Sequence, residues 1–132
     1  MRVYVDSSAL VKLVQKEPES EPLRRYLRRY RGDQRVASEL ARVEVVRSVL
    51  SGGPMAVAHA RRQLGRVYLV SIDRDVLDRA ATLAPGSLLR SLDAIHLATA
   101  QLLSPQLRAV VTYDVRMTQA ATMLGLPVDS PR

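Results

Sequence analysis

The sequence predicts an α/β fold, a three-layer α/β/α sandwich built on a short parallel sheet. Two observations carry that reading. Short apolar runs rich in valine, such as VYV at 3–5 and AVV at 109–111, alternate along the chain with longer helical stretches. These runs are apolar at successive rather than alternate positions, as in strands covered on both faces.

The elements follow in order. Arg2–Asp6 (RVYVD) reads as the first strand, and Ser7–Lys16 as a helix with a hydroxyl cap. A very basic helix runs from Pro18 to about Arg31, and Arg35–Ala37 is a brief strand. Ser38 caps a helix through Leu50 that Ser51-Gly52-Gly53-Pro54 stops. Residues from about Met55 to Arg66 are helical, Val67–Ile72 is a strand, and Asp73 to about Leu83 is a helix ended by Pro85-Gly86. Ser91 caps a helix to about Leu103, Pro105 breaks it, and Ala109–Tyr113 is a strand. A last helix, Val115–Leu124, stops at Gly125, and Pro127-Val128 adds a short strand.

At 132 residues the chain reads as a single domain, 1–132, which at this size buries roughly two-thirds of its unfolded surface. Its hydrophobic content of 47% excludes a disordered tail or a fibre. No apolar run is long enough for a membrane span, and the start does not read as a signal peptide, so a cytoplasmic location is expected. The absence of cysteine removes disulfides, thiolate zinc sites and cysteine nucleophiles together. With five tyrosines and no Phe or Trp, the core must come from Leu, Val and Ala. The formal charge of +7 points weakly to nucleic acid, because only Lys12 and Lys16 among the 20 basic residues are not arginine.

In a parallel sheet, ligands bind beyond the carboxyl ends of the strands. Asp6 directly follows the first strand, and Asp114 directly follows AVVTY. Asp93 lies in the first turn of the Ser91 helix, and Glu44 inside the helix of SELARVEVV. Four carboxylates gathered at one place would repel one another unless a cation neutralised them, and an all-oxygen set suits Mg²⁺ or Mn²⁺. Each aspartate also has a simpler role, since Asp6, Asp93 and Asp114 all stand where a carboxylate caps a helix. Glu44 has no capping role, though Arg47 at i+3 could pair with it. Glu39 also falls inside the apolar arc, so spacing alone leaves the choice between the two glutamates open.

Four stretches, VYVDSSALVKL, SELARVEVVRSVL, LDAIHLATAQLL and VVTYDVRMTQAATMLGLPV, together resemble the PIN-domain ribonucleases. The nearest likeness is to the VapC toxins of toxin–antitoxin pairs, and it spans nearly the whole chain in the family's order. The resemblance implies a PIN-like α/β/α fold and an Mg²⁺-dependent endoribonuclease that cuts single-stranded or loop RNA with a cation-activated water. It assigns Asp6, Glu44, Asp93 and Asp114 as catalytic and metal-holding acids, and Ser8 and Thr112 as supporting hydroxyls. The offset of six residues from Ser38 is what selects Glu44 over Glu39. It further implies a VapB-like antitoxin as partner and a homodimer.

Outside the acids, His96 lies three residues beyond Asp93 on nearly the same helical face and is expected to be a buried, structural histidine. His59, in an Arg-rich helix, suggests nothing specific. Arg24, Arg25, Arg28 and Arg29 are candidate RNA-binding residues, extended by Arg31 and Arg35, with Tyr26 and Tyr30 as a conceivable stacking platform. Equally, they form a solvated arginine face with the tyrosines packed inward. Arg61, Arg62 and Arg66 could extend the same field. Setting the four proposed acids aside leaves 20 basic against 9 acidic residues, a body of +11 suited to a phosphate backbone.

A receiver-type phosphorylation domain would want an acid pair at the first strand and a late lysine, and neither is present. A haloacid-type phosphatase would want D-x-D, where Asp6 is followed by Ser7 and Ser8. The remaining alternatives are a housekeeping RNA-processing PIN enzyme without antitoxin, and a non-catalytic RNA-binding module whose acids only cap helices.

Overall fold

The computed structural model describes residues 1–132. Five strands, β1 (Arg2–Val5), β2 (Gln34–Ser38), β3 (Tyr68–Val70), β4 (Leu107–Val111) and β5 (Val128–Asp129), form one sheet in the order β3-β2-β1-β4-β5. Every pairing is parallel, with Val5 opposite Val111 and Tyr4 opposite Val36. The carboxyl ends therefore share one edge, where Asp6 and Asp114 follow the central pair β1 and β4.

Seven helices cover the two faces: α1 (Ser7–Lys12), α2 (Ser20–Arg29), α3 (Ala41–Val49), α4 (Pro54–Leu64), α5 (Arg74–Ala81), α6 (Ser91–Gln101) and α7 (Val115–Met123). Side-chain alternation along β1 assigns the layers. Val3 and Val5 pack with Leu10, Leu23, Val45 and Leu64 from α1–α4, whereas Tyr4 points the other way, toward Leu97, Met117 and Ala121. This is the three-layer sandwich expected from the sequence. Apart from Tyr4 its core is aliphatic, with Leu10, Leu23 and Leu97 its largest buried side chains besides Met117.

Several boundaries move, for local physical reasons. The cap of α1 is the Asp6 carboxylate, which accepts from Ala9 N, rather than a serine hydroxyl, and the helix ends at Lys12 instead of Lys16. Beyond it, Lys12 pairs with Glu17 and Glu19, and Ser20 Oγ closes the following turn by accepting from Glu17 N and donating to Gln15 O. Ser38 belongs to β2, in register with Val70, and α3 begins only at Ala41. Ser91 is the first residue of α6, whose cap position is Arg90. Gly53 turns the chain into α4 at φ 88°, and Gly125 leaves α7 at φ 72°, both in the left-handed region that favours glycine.

At the opposite, amino-terminal edge of the sheet, Asp33 ties three segments together. Its carboxylate, 8% exposed, accepts from Arg108 Nε at the start of β4 and from the Met1 amine at 3.2 Å. The Arg108 hydrogen bond holds Asp33 below the ordinary carboxylate value. A depressed folded-state value stabilises the fold above the ordinary value of 3.8, and that stability is lost as pH falls through the lowered one. Asp33→Asn is therefore expected to lower the urea midpoint at pH 7, with the deficit closing below pH 3.8 when both proteins are titrated side by side.

Candidate active site

Asp6 is the most constrained of the four acids. It is 3% exposed, and its partners are neutral donors: Ser8 Oγ at 2.6 Å, Thr112 Oγ1 at 2.5 Å and Ala9 N at 3.0 Å. Burial pushes its carboxyl above the ordinary value, against the pull of those hydrogen bonds and of nearby His96. Ser8 and Thr112, both singled out in the sequence, thus lie directly on Asp6. Each hydroxyl also reaches onward, since Ser8 Oγ accepts from Tyr113 N and Thr112 Oγ1 accepts from Asp114 N.

Thr112 links Asp6 to Asp114. Asp114 Oδ1 caps α7, accepting from Arg116 N at 2.8 Å and Met117 N at 3.2 Å, while Oδ2 faces Arg90 at 3.9 Å. The same guanidinium reaches Asp93 Oδ2 through Nε at 3.4 Å. Arg90 is thus a cation standing between two of the proposed acids, with its side chain 67% exposed.

Glu44 enters from the other layer. Its Oε1 accepts from Ser7 Oγ at 2.7 Å and meets His96 Nε2 at 2.6 Å, a contact from α3 to α6 over the carboxyl edge of the sheet. The pairing with Arg47 does not form. Glu39 is exposed, and it lines a cavity between α3, α4 and β3. Burial disfavours the charged form of Glu44, but hydrogen bonds from His96 and Ser7 outweigh it and hold Glu44 below the ordinary value.

His96 is buried, as expected, yet it is also part of this network. Beneath it, the fully buried Tyr4 hydroxyl accepts from Ser38 N at 3.2 Å and meets His96 Nδ1 at 2.6 Å. Burial, with the nearby Asp6 charge, pushes Tyr4 well above its ordinary value, so its proton stays and is donated to Nδ1. His96 then presents Nε2–H to Glu44. Tyr4, Ser7 and Arg90 were not identified from the sequence. A tyrosine inside a valine strand, the first of two serines and an arginine ahead of a helix carry no motif of their own.

Asp6, Asp114 and Asp93 are linked through Thr112, which meets the Asp114 backbone N–H, and through Arg90, while Glu44 is held separately by His96 and by Ser7, the residue after Asp6. The donors are hard oxygens, and one of them is a buried carboxylate with no cation in hydrogen-bond contact, a chemistry that fits Mg²⁺ or Mn²⁺. No three of the Asp, Glu and His side chains are gathered closely enough to share an ion in this conformation. The Arg90 and His96 contacts hold three of the acids instead. A cavity of about 610 Å³ lies away from them, beside Glu39, Arg42 and Tyr68.

The PIN-domain family model matches residues 3–122. Ribonuclease VapC46 of Mycobacterium tuberculosis (strain ATCC 25618 / H37Rv) is 51% identical over 129 residues, covering 98% of this chain and 97% of its own. Ribonuclease VapC47 of M. tuberculosis (strain CDC 1551 / Oshkosh) is 39% identical over 132 residues, 98% of this chain and 96% of its own. Among solved structures, a toxin–antitoxin complex from Klebsiella pneumoniae superposes with a TM-score of 0.72 at 22% identity, over 98% of both chains. M. tuberculosis VapC20, described as a sarcin–ricin loop cleaving toxin, gives a TM-score of 0.72 at 18% identity, over 89% of this chain and 94% of its own. An α/β/α sandwich with acids along the carboxyl edge of its sheet defines the class, and the chain belongs to the PIN-domain family. Within that family its relatives are the VapC ribonucleases.

Two outcomes test this geometry. Tyr4→Phe leaves Ser38 N and His96 Nδ1 without their buried partner, and is expected to cost about 1–3 kcal/mol in urea denaturation. Arg90→Ala removes an exposed competitor for Asp93 and Asp114, and is expected to tighten Mn²⁺ binding about two- to fivefold by isothermal titration calorimetry.

Proposed function

We propose that this chain is a divalent-metal-dependent endoribonuclease that acts as the toxin of a toxin–antitoxin pair. Its substrate is single-stranded or loop RNA, its site of action the cytoplasm, and its partner a VapB-like antitoxin; assembly as a homodimer belongs to the same proposal. The observation that carries the reading is Asp6, a carboxylate held at 3% exposure by neutral donors only, with Asp114 joined to it through Thr112. Burying an anion without a counter-ion is costly, so a site that does so is prepared for a cation. The 51% identity to a named ribonuclease over 98% of the chain supports the same assignment.

Asp6, Glu44, Asp93 and Asp114 are the groups that would hold the metal, Mg²⁺ first and Mn²⁺ as a substitute. When bound, it supplies charge neutralisation at the phosphodiester and activation of a water for in-line attack. Ser8 and Thr112 fix both Asp6 oxygens, so this acid stays in place while others rearrange. His96 and Ser7 keep Glu44 ionised at the edge of the sheet. Arg90 neutralises Asp93 and Asp114 until a cation competes for them, and its exposed head is then free to meet a phosphate oxygen.

Asp6→Asn or Glu44→Gln is expected to slow Mg²⁺-dependent cleavage of a labelled RNA by roughly 10²-fold or more with the fold intact by circular dichroism. Equal cleavage in these variants, or none by the wild type with either metal, contradicts the nuclease. Growth arrest on expression, relieved by co-expressing the product of a neighbouring small gene, tests the toxin role and separates it from a housekeeping PIN enzyme.

A further inference from the structure

Among the lysines and arginines of the chain, Arg90 alone pairs with any of the four acids. Asp6 meets neutral donors only, Glu44 meets His96, and Asp93 and Asp114 share the Arg90 guanidinium. The other ion pairs all fall on Glu17, Glu19, Glu21 and Asp33. Arg24 and Arg28, proposed from sequence to grip RNA, are among them, turned to Glu21 on their own helix.

Arg90 is anchored at its backbone and loosely held at its head. It occupies the cap position of α6, where its carbonyl accepts from Ala94 N at 2.9 Å and its N–H donates to Asp93 Oδ2 at 3.4 Å. The guanidinium swings about that fixed point. Its contacts are long, 3.4 Å from Nε to Asp93 and 3.9 Å from Nη2 to Asp114, and the side chain is 67% exposed, so water and salt weaken both. Neither acid depends on it for its place. Asp114 Oδ1 is held by Arg116 N and Met117 N, and Asp93 keeps the Arg90 N–H. Each carboxylate therefore stays where it is when the guanidinium leaves.

A phosphodiester suits that guanidinium better than its present partners do. The planar fork can offer two parallel N–H donors to two phosphate oxygens, whereas here it meets each carboxylate through a single nitrogen. Two competitions thus converge on one side chain. A divalent cation and the guanidinium compete for Asp93 and Asp114, while a phosphate and these acids compete for the guanidinium.

We propose that Arg90 couples the two ligands of this site. A backbone phosphate of RNA that draws the guanidinium away from Asp93 and Asp114 raises their affinity for the divalent metal, and by reciprocity metal held there releases Arg90 to the phosphate. Without RNA the protein is then a weaker metal binder than its four acids alone would make it. Both ligands are those of the nuclease reading, on which this coupling rests.

The test is fluorescence anisotropy of a labelled single-stranded 2′-O-methyl RNA of about 16 nucleotides, shown intact by gel, in EDTA and in Mn²⁺ at matched ionic strength. Arg90→Ala is expected to weaken binding about fivefold or more in Mn²⁺ and to reduce the salt slope there by about 1. In EDTA, where the acids still compete for the guanidinium, the same variant is expected to weaken binding less than about twofold. Arg116→Ala, an exposed arginine of α7 without an ion pair, is the charge control and is expected to have the same effect in both conditions. Equal weakening by Arg90→Ala with and without Mn²⁺ makes Arg90 a plain phosphate contact and overturns the coupling, as does no weakening in either. Isothermal titration calorimetry of Mn²⁺ into the wild type separates the two readings. Mn²⁺ binding together with equal weakening removes the coupling alone, whereas no Mn²⁺ binding with or without the RNA removes the nuclease reading with it.

Discussion

A carboxylate withdrawn from water must be compensated by hydrogen bonds, by a cation or by a proton, and the carboxyl edge of this sheet is organised around that demand. Asp6 is held by two hydroxyls and one backbone N–H, and none of these carries a charge. The requirement determines what stands nearby. Ser8 must turn back on the strand end, Thr112 must point across from the neighbouring strand, and α1 must begin where Ala9 N is free to donate. Because Thr112 also accepts from Asp114 N, the position of the second aspartate follows from the compensation of the first.

The fold was largely legible because a parallel sheet covered on both faces leaves a simple trace, valine-rich runs separated by helices. Element ends were less so. Ser7, Ser38 and Ser91 were each assigned as caps, yet Asp6 fills the first role, Ser38 stays in the ladder and Ser91 lies one residue inside its helix. Side-chain preference is short-ranged, whereas pairing to Val70 decides how far β2 runs. At the site, the four acids could be named but not their partners. The Glu44–His96 contact spans 52 positions and two layers, and no local periodicity registers such a pair. Periodicity also left Glu39 and Glu44 undecided. Packing separates them, with Glu44 turned to Ser7 and His96 and Glu39 to solvent.

The distribution of charge proved more informative than its sum. Much of the helix 20–29 chemistry is used to build the protein, with Tyr26 fastened to Asp129 and Tyr30 sandwiched near Arg29 and Arg108. Density of arginine in sequence therefore marks a helix face. Arginines left without acids, such as Arg35 and Arg66, are a feature only tertiary contacts can pick out.

The double duty of Asp6 and Asp114 has an evolutionary side. Each caps a helix as well as facing the site, and losing a cap costs a protein about 0.5–2 kcal/mol whatever its activity. A duplicated copy released from selection for catalysis would still be under pressure to keep both aspartates in order to fold. Glu44 has no such duty. Its carboxylate caps nothing, and its burial is tolerated only because His96 and Ser7 answer it. Among related genes, a change at the position of Glu44 is thus the earlier and cleaner sign of decay into an inactive copy, while intact aspartates alone say little.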